Sequence, residues 1–235
     1  MGKLLRTITS DGSAVAFAID SADIVNTACG IHRPSAVVAA ALGRMLTAAS
    51  MMGSMLKGRG SVTLRIDGGG PAGTLIAVAD SHGDVRGYVE NPVVELALKP
   101  SGKLDVSGAV GTQGILSVVR DLGMKENYSG QVPAQYPARS PRTSRSILPA
   151  ASRYPRRAPS ACSWTRDLSV KASGGYIVQL LPFADPAAID RLENNIKSVK
   201  PVSSMLADGM KPVDILKTVL GGFEVEIMDS RTAEI

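Results

Sequence analysis

Residues 61–92 read SVTLRIDGGGPAGTLIAVADSHGDVRGYVENP, and the fold turns on how this stretch is interpreted. Residues 62–66 alternate apolar with polar, the period of a half-buried strand. Residues 74–79 are a short apolar run rich in β-branched side chains, and residues 85–90 follow with Tyr88 and Val89. Between the last two lies Ser81-His82-Gly83-Asp84, turn chemistry at hairpin length. The reading is a three-stranded meander around which the rest of the chain packs.

Its glycine run invites a second interpretation. Gly68, Gly70 and Gly73 have the Gly-x-Gly-x-x-Gly spacing of a dinucleotide-binding loop, and Glu90 falls near the distance of a ribose-binding acid. Such a loop needs a helix springing from its last glycines, so that free amides and the helix dipole face the pyrophosphate. Thr74, Ile76 and Val78 are poor helix formers, and the turn at 81–84 ends the segment too soon for a crossover helix. A structural glycine turn is therefore expected. A flavin- or nicotinamide-binding enzyme using Gly68 to Gly73 is the alternative. No Gly-Lys-Ser/Thr follows, which excludes a nucleoside-triphosphate P-loop.

The chain has 235 residues, enough for one large or two small domains. Apolar residues make up 44% with only one Trp and three Phe, so the core is expected to be Ala, Val, Leu, Ile and Met. The net charge of +5 is unevenly spread: residues 133–166 hold seven Arg and no Lys, Asp or Glu. Removing those seven from the 26 Lys and Arg leaves 19 against 21 Asp and Glu, a balance of −2. The basic character belongs to that segment alone, and any argument from charge to nucleic acid applies only there.

Two cysteines, Cys29 and Cys162, make neither a disulfide framework nor a metal site. Cys29 reads as a small buried residue, and His32 as a loop residue rather than a ligand. No acid/base pair or triad favours catalysis. The N-terminal MGKLLRTITSDG lacks the apolar region of a signal peptide, and Arg6 stands where a myristoylation signal wants Ser or Thr. A reducing cytoplasm is expected.

Taken in order, residues 4–8 and 13–19 flank Ser10-Asp11-Gly12 and read as a hairpin. A short helix is expected from Ser21-Ala22-Asp23 to about Ala28. Residues 35–56, SAVVAAALGRMLTAASMMGSML, are long enough to span a bilayer. Arg44 sits mid-stretch, where a charge costs about 2.5–3.5 kcal/mol on insertion scales. The reading is a central buried helix, apolar nearly all round, with Met45, Met51, Met52 and Met55 as core filler. Strands are expected at 92–98 and 114–120, and a further one starts at 130–132. Later strands are read at 168–172 and 175–181, separated by a Ser173-Gly174 turn. Helices follow from Asp185-Pro186 to Val199, from Pro201 to Ala207 and from Pro212 to Leu220, with a last strand at 223–228.

Residues 133–166, PAQYPARSPRTSRSILPAASRYPRRAPSACSWTR, differ in character. Six Pro, six Ser, six Ala and seven Arg give no apolar period, and the prolines recur too often for a helix interior or a central strand. A disordered basic linker is one reading, and a basic nucleic-acid adaptor acting through Arg139 to Arg166 is a third functional alternative. Only Tyr136, Tyr154 and Trp164 offer stacking, which disfavours nucleic acid.

Several ordered segments carry a family resemblance: residues 40–44 (AALGR), 66–71 (IDGGGP) with Gly73, 85–89 (VRGYV) with Asn91-Pro92, and 102–106 (GKLDV) with 109–111 (AVG). Residues 116–123 (LSVVRDLG), 128–132 (YSGQV) and 172–175 (ASGG) continue it. Together these resemble the redox-regulated heat-shock holdases, the thirty-three-kilodalton chaperonin family, over residues 1–132 and 167–235. The resemblance implies an ATP-independent holdase, not an enzyme. It would bind unfolded client proteins through apolar surface, and a homodimer is its implied assembly. It also implies a redox switch in which four cysteine thiolates bind zinc when reduced and form disulfides when oxidised. Those ligands are expected beyond Ile235, and neither Cys29 nor Cys162 matches them, so no zinc is expected in this chain. Resemblance lapses abruptly across 133–166, where the family has strand-forming sequence of about the same length. The Arg/Ser/Pro/Ala bias is that of an out-of-frame translation of a GC-rich gene, so two compensating frameshifts are the working explanation.

The expected fold is thus α+β, with mainly antiparallel sheet layers packed on a long buried central helix, followed by a short helical C-terminal subdomain. The expected units are a core of 1–132 and 167–182, an aberrant or disordered insert at 133–166, and a helical linker subdomain at 183–235, with the C-terminal zinc domain absent. No catalytic, cofactor-binding or metal-binding residue is assigned, and the client-contacting residues are not identified by sequence.

Overall fold

The computed structural model describes residues 2–123, 127–133, 156–157, 160–164, 170–182 and 184–235. The described residues form two antiparallel sheets with one long helix between them. The meander appears where the sequence puts it: β3 (Ser61–Gly69), β4 (Leu75–Asp80) and β5 (Val85–Val89). β6 (Gly111–Asp121) and β7 (Tyr128–Pro133) extend it on the β3 side, giving the order β5-β4-β3-β6-β7. Alternation decides the faces: Val62, Leu64, Ile66, Leu75, Ala77 and Ala79 are buried, while their neighbours face outward. The β4–β5 turn is closed by the Asp80 carboxylate, whose Oδ1 accepts from the amides of His82, Gly83 and Asp84 at 2.8, 3.1 and 3.1 Å.

The second sheet gathers strands from distant parts of the chain. The hairpin β1 (Gly2–Thr9) and β2 (Ala14–Asp20) is joined by β10 (Val170–Leu180) on one side and β11 (Val225–Ala233) on the other. Here one expectation fails. Residues 168–172 and 175–181 were expected as two strands with a turn at Ser173-Gly174, but Val170–Leu180 is one strand running through both residues. Gly174 lies opposite Asp20, and a Cβ built on it would lie 2.4 Å from the Ile19 carbonyl oxygen of β2 and 2.5 Å from a Leu206 methyl group. The glycine makes room for the neighbouring strand's backbone and for a helix packed on the strand, not for a turn.

Two short strands also fall within 133–166, for which none was expected. β8 (Arg156–Arg157) and β9 (Ser160–Trp164) pair with β10. Pairing in this ladder is backbone to backbone and requires no apolar side-chain period. The remainder of the insert reading, including Tyr136, Arg139, Tyr154 and Arg166, lies outside the described residues.

The central helix is α2 (Ala36–Gly53), with 16 of its 18 residues buried. It packs on β3, β4 and β5 of one sheet and on β2, β9 and β10 of the other, so its length and composition serve the core rather than a bilayer. Ser35 does not cap it with a side-chain bond. Its hydroxyl instead donates to the Val94 carbonyl and accepts from the Val94 amide, at 2.8 and 3.1 Å. That clip explains a second failed expectation: residues 92–98 form no strand. Only Val94 is buried there, while Val93, Leu96 and Leu98 face solvent. α1 (Ala22–His32) runs four residues past the expected end and continues through Gly30, and its terminal His32 lies with Nε2 3.0 Å from the Gly87 carbonyl. α3 (Val106–Val110) was not foreseen. It is capped by Asp105, whose carboxylate accepts from the Gly108 amide at 3.0 Å.

Candidate functional site

The glycine loop is the first site to test. Thr74 leads directly into β4, so no helix starts there. Its amides are also spoken for. Gly69 donates to Asp67, Gly70 to the Val110 carbonyl, Ala72 to Ala109, Gly73 to Gly70 and Thr74 to the Glu90 carboxylate. Pro71 has no N–H to offer. Glu90, which sequence spacing offered as a ribose ligand, is consumed in closing the loop. The glycines themselves are required by backbone packing: a Cβ on Gly68 would lie 2.3 Å from the Val110 carbonyl oxygen, and one on Gly70 would lie 2.4 Å from the Gly111 nitrogen. A pyrophosphate cradle needs unpaired amides in a row, and this loop has none. The flavin or nicotinamide alternative is therefore corrected to a structural turn that fastens β3 and β4 onto the start of β6.

Cys29 lies partly buried on α1, and Cys162 contributes backbone to β9 opposite Ser173. Among the described residues no three His, Cys, Asp or Glu side chains stand where they could hold a metal ion, so these residues do not fit a zinc centre.

What the fold does build is a concealed apolar sheet face. β2 is buried on both sides: Val15, Phe17 and Ile19 belong to the core around α2, while Ala14, Ala16 and Ala18 face the other way. β10 divides likewise, with Ile177 inward and Tyr176 and Val178 outward, and β1 contributes Leu5. The outward surface is smooth, because three of its six apolar side chains are alanines. Over it lies a cap of three short helices, α4 (Pro186–Ser198), α5 (Val202–Ala207) and α6 (Pro212–Val219). α6 packs on β2 and β1, α5 on β10 and β9, and α4 packs on α6. The cap presents Val202, Met205, Ile215, Leu216 and Val219, each at most 2% exposed.

Directional bonds within the cap tie α4 to the end of α6. Asn195 donates to the carbonyls of Val219 and Gly221 at 3.2 and 2.8 Å, and Arg191 donates to the Gly222 carbonyl at 2.8 Å while stacking over Phe223. Helices of 13, 6 and 8 residues are not stable alone in water, so their order depends on the face they cover. Burial of a Leu, Ile or Met side chain is worth about 1.5–3 kcal/mol, so apolar contact with the sheet stabilises the cap. If the cap lifts, two apolar surfaces appear together, one on the sheet and one on the helices.

Sequence reasoning left the client-contacting residues unassigned. A signal existed in the alternation of Ala14, Ala16 and Ala18 with Val15, Phe17 and Ile19, which marks a strand covered on both sides. What covers each side could not be read from it.

The arrangement has counterparts among known proteins. A family model described as Hsp33 protein matches residues 2–235. The 33 kDa chaperonin of Bacillus pumilus is 40% identical over 228 residues, which cover 94% of this chain and 76% of that protein. That of Agathobacter rectalis is 41% identical over 228 residues, covering 97% and 78%. Among solved structures, the 33 kDa chaperonin from Thermotoga maritima, a heat shock protein 33 homolog, aligns with a TM-score of 0.85 at 30% identity, covering 99% of this chain and 79% of that one.

Proposed function

The chain belongs to the Hsp33 family of 33 kDa chaperonins, and from that premise we propose that it is an ATP-independent holdase whose client-binding surface is the sheet face beneath α4, α5 and α6. Chaperone function comes with the family. The observation that carries the finer reading is the burial of Leu5, Ala16, Tyr176 and Val178 under helices too short to stand alone. A holdase needs apolar area that is hidden until required, because a permanently open patch of that kind aggregates. Capture is driven by apolar burial, roughly 25 cal/mol per Å² before ordering costs. The proposed partners are unfolded or aggregation-prone polypeptides in the cytoplasm. A homodimer is the proposed assembly, and no catalytic step is assigned.

Two variants separate this reading from nonspecific stickiness. Leu216→Ala loosens the cap from its own side, and Ala16→Glu loosens it by placing a charge on the sheet face. Both should raise exchange of the α4–α6 amides. Only Leu216→Ala should increase suppression of client aggregation in a light-scattering assay, with or without ATP. Equal gains in both variants would remove the sheet face from the mechanism.

The resemblance also implies thiol control. The 235 residues hold two cysteines, and a four-thiolate site needs four. We therefore expect client capture by this polypeptide to be the same in peroxide and in reductant. A redox difference abolished by Cys29→Ser would overturn that expectation.

A further inference from the structure

Where the two sheets meet at β11, Lys3, His82, Ser230, Arg231 and Thr232 line an open cavity of about 480 Å³. Each is basic or carries a hydroxyl, on a body whose balance outside residues 133–166 is −2. Lys3 stands opposite Thr232, and Leu5 opposite Ser230, so Lys3, Ser230 and Thr232 project from one face of the β1–β11 pair. His82 comes from the β4–β5 turn. That turn is fixed beside β11 by three bonds: Arg231 Nη1 donates to the Ser81 carbonyl at 3.2 Å, the Val85 amide donates to the Glu234 carbonyl at 2.8 Å, and the Glu234 amide donates to Asp84 at 2.8 Å.

The last two bonds show that Glu234 turns both its backbone groups away from β1. Backbone groups alternate in direction along an edge strand, so the amides of Thr232 and Ser230 face the same open side. The positive charges are only partly matched. Asp229 holds Arg231 at Nε, which leaves Nη2. Asp80 lies 3.7 Å from His82 Nδ1, leaving Nε2, and its own Oδ1 is engaged by three turn amides. Lys3 is exposed, with Asp20 as its cross-strand neighbour on β2. Guanidinium, ammonium, hydroxyl and strand-edge amide donors on one concavity are the donor set of a tetrahedral oxyanion.

We propose that this cavity binds a phosphate group, carried by inorganic phosphate or by a phosphomonoester. Lys3, Ser230 and Thr232 lie on the Leu5 side of the β1–β11 pair but none belongs to the apolar cluster under the cap, and the proposal does not depend on the holdase reading. The test is a titration of the ¹⁵N-labelled full chain with inorganic phosphate and, separately, glycerol 3-phosphate, each against sodium chloride at matched ionic strength. Saturable shifts are expected at the amides of Ser230, Thr232 and His82. Lys3→Met and His82→Gln change exposed side chains, so the fold should survive, and their combination should weaken binding roughly tenfold. Saturation by phosphate alone identifies the free anion as ligand, and saturation by both identifies the phosphate group of a larger molecule. Shifts that chloride reproduces, or an affinity unchanged in the double variant, would overturn the site.

Discussion

Single residues decide where this chain can bend and where it cannot. Gly68 and Gly70 lie against the backbone of residues 109–111 at distances no Cβ tolerates. Gly68→Ala should cost about 2 kcal/mol or more in urea unfolding, as overpacking against backbone cannot relax. A second residue-scale device is the chain of buried hydroxyls Thr47, Ser21 and Ser173, with oxygen separations of 2.7 and 3.0 Å, which ties α2, the start of α1 and β10 together. Ser21 is the N-cap residue of α1 yet makes no side-chain cap bond, because its hydroxyl is spent here. Ser21→Ala should cost about 1–3 kcal/mol, the penalty for stranding buried polar partners, measured as a shift in the urea midpoint at unchanged slope. Asp105 is legible from sequence only as an acid before a helix. In the structure Ser107, the Gly108 amide and Lys99 hold its carboxyl below the ordinary value. A lowered folded value means its contribution is present above about pH 4 and fades as pH falls through the lowered value. Asp105→Asn should therefore flatten the loss of stability on acidification by a small margin, since the group is about one-third exposed.

At the scale of elements, the periodic strands were legible, whereas the strand β10, covered on both faces, was not. β3, β4 and β5 announce themselves because one face is wet and alternation survives. β10 is buried on both faces, so alternation is lost, and Ser173-Gly174 looked like a turn although Gly174 pairs with Asp20 and Ser173 with Cys162. Residues 92–98 show the converse error: their composition suits a strand, but the Ser35 clip at Val94 holds them in an irregular course beyond β5. The cap helices differ from α2 in how they are supported. α2 is enclosed by both sheets, whereas α4 packs on α6 and buries only Ala188 and Leu192. Native-state hydrogen exchange should show α4–α6 opening below the global unfolding free energy, with α2 exchanging only through global unfolding. Equal protection in both would contradict a releasable cap. Arg191→Ala, which removes the Phe223 stacking and the bond to Gly222, should lower the cap's opening free energy by about 1 kcal/mol.

At the scale of the whole molecule, the last strand returns to the first. β11 pairs with β1, and Glu234 then bonds across to Val85 and Asp84 of the other sheet, so the segment after the cap helices joins the two layers. The composition shift at 133–166 was visible in sequence, but the backbone pairing of 160–164 with β10 was not, because edge pairing needs no side-chain pattern. By itself the sequence determined the periodic strands of the meander, the buried central helix and the glycine turn, since each follows from local spacing and propensity. It also carried the family, through ordered short segments. Only the tertiary structure decided which apolar face lies under the cap, which strand is continuous, and how Lys3, His82 and Arg231 come to one place. Those outcomes depend on residues more than 75 positions apart in the chain meeting through sheet register, and local spacing contains no record of such meetings.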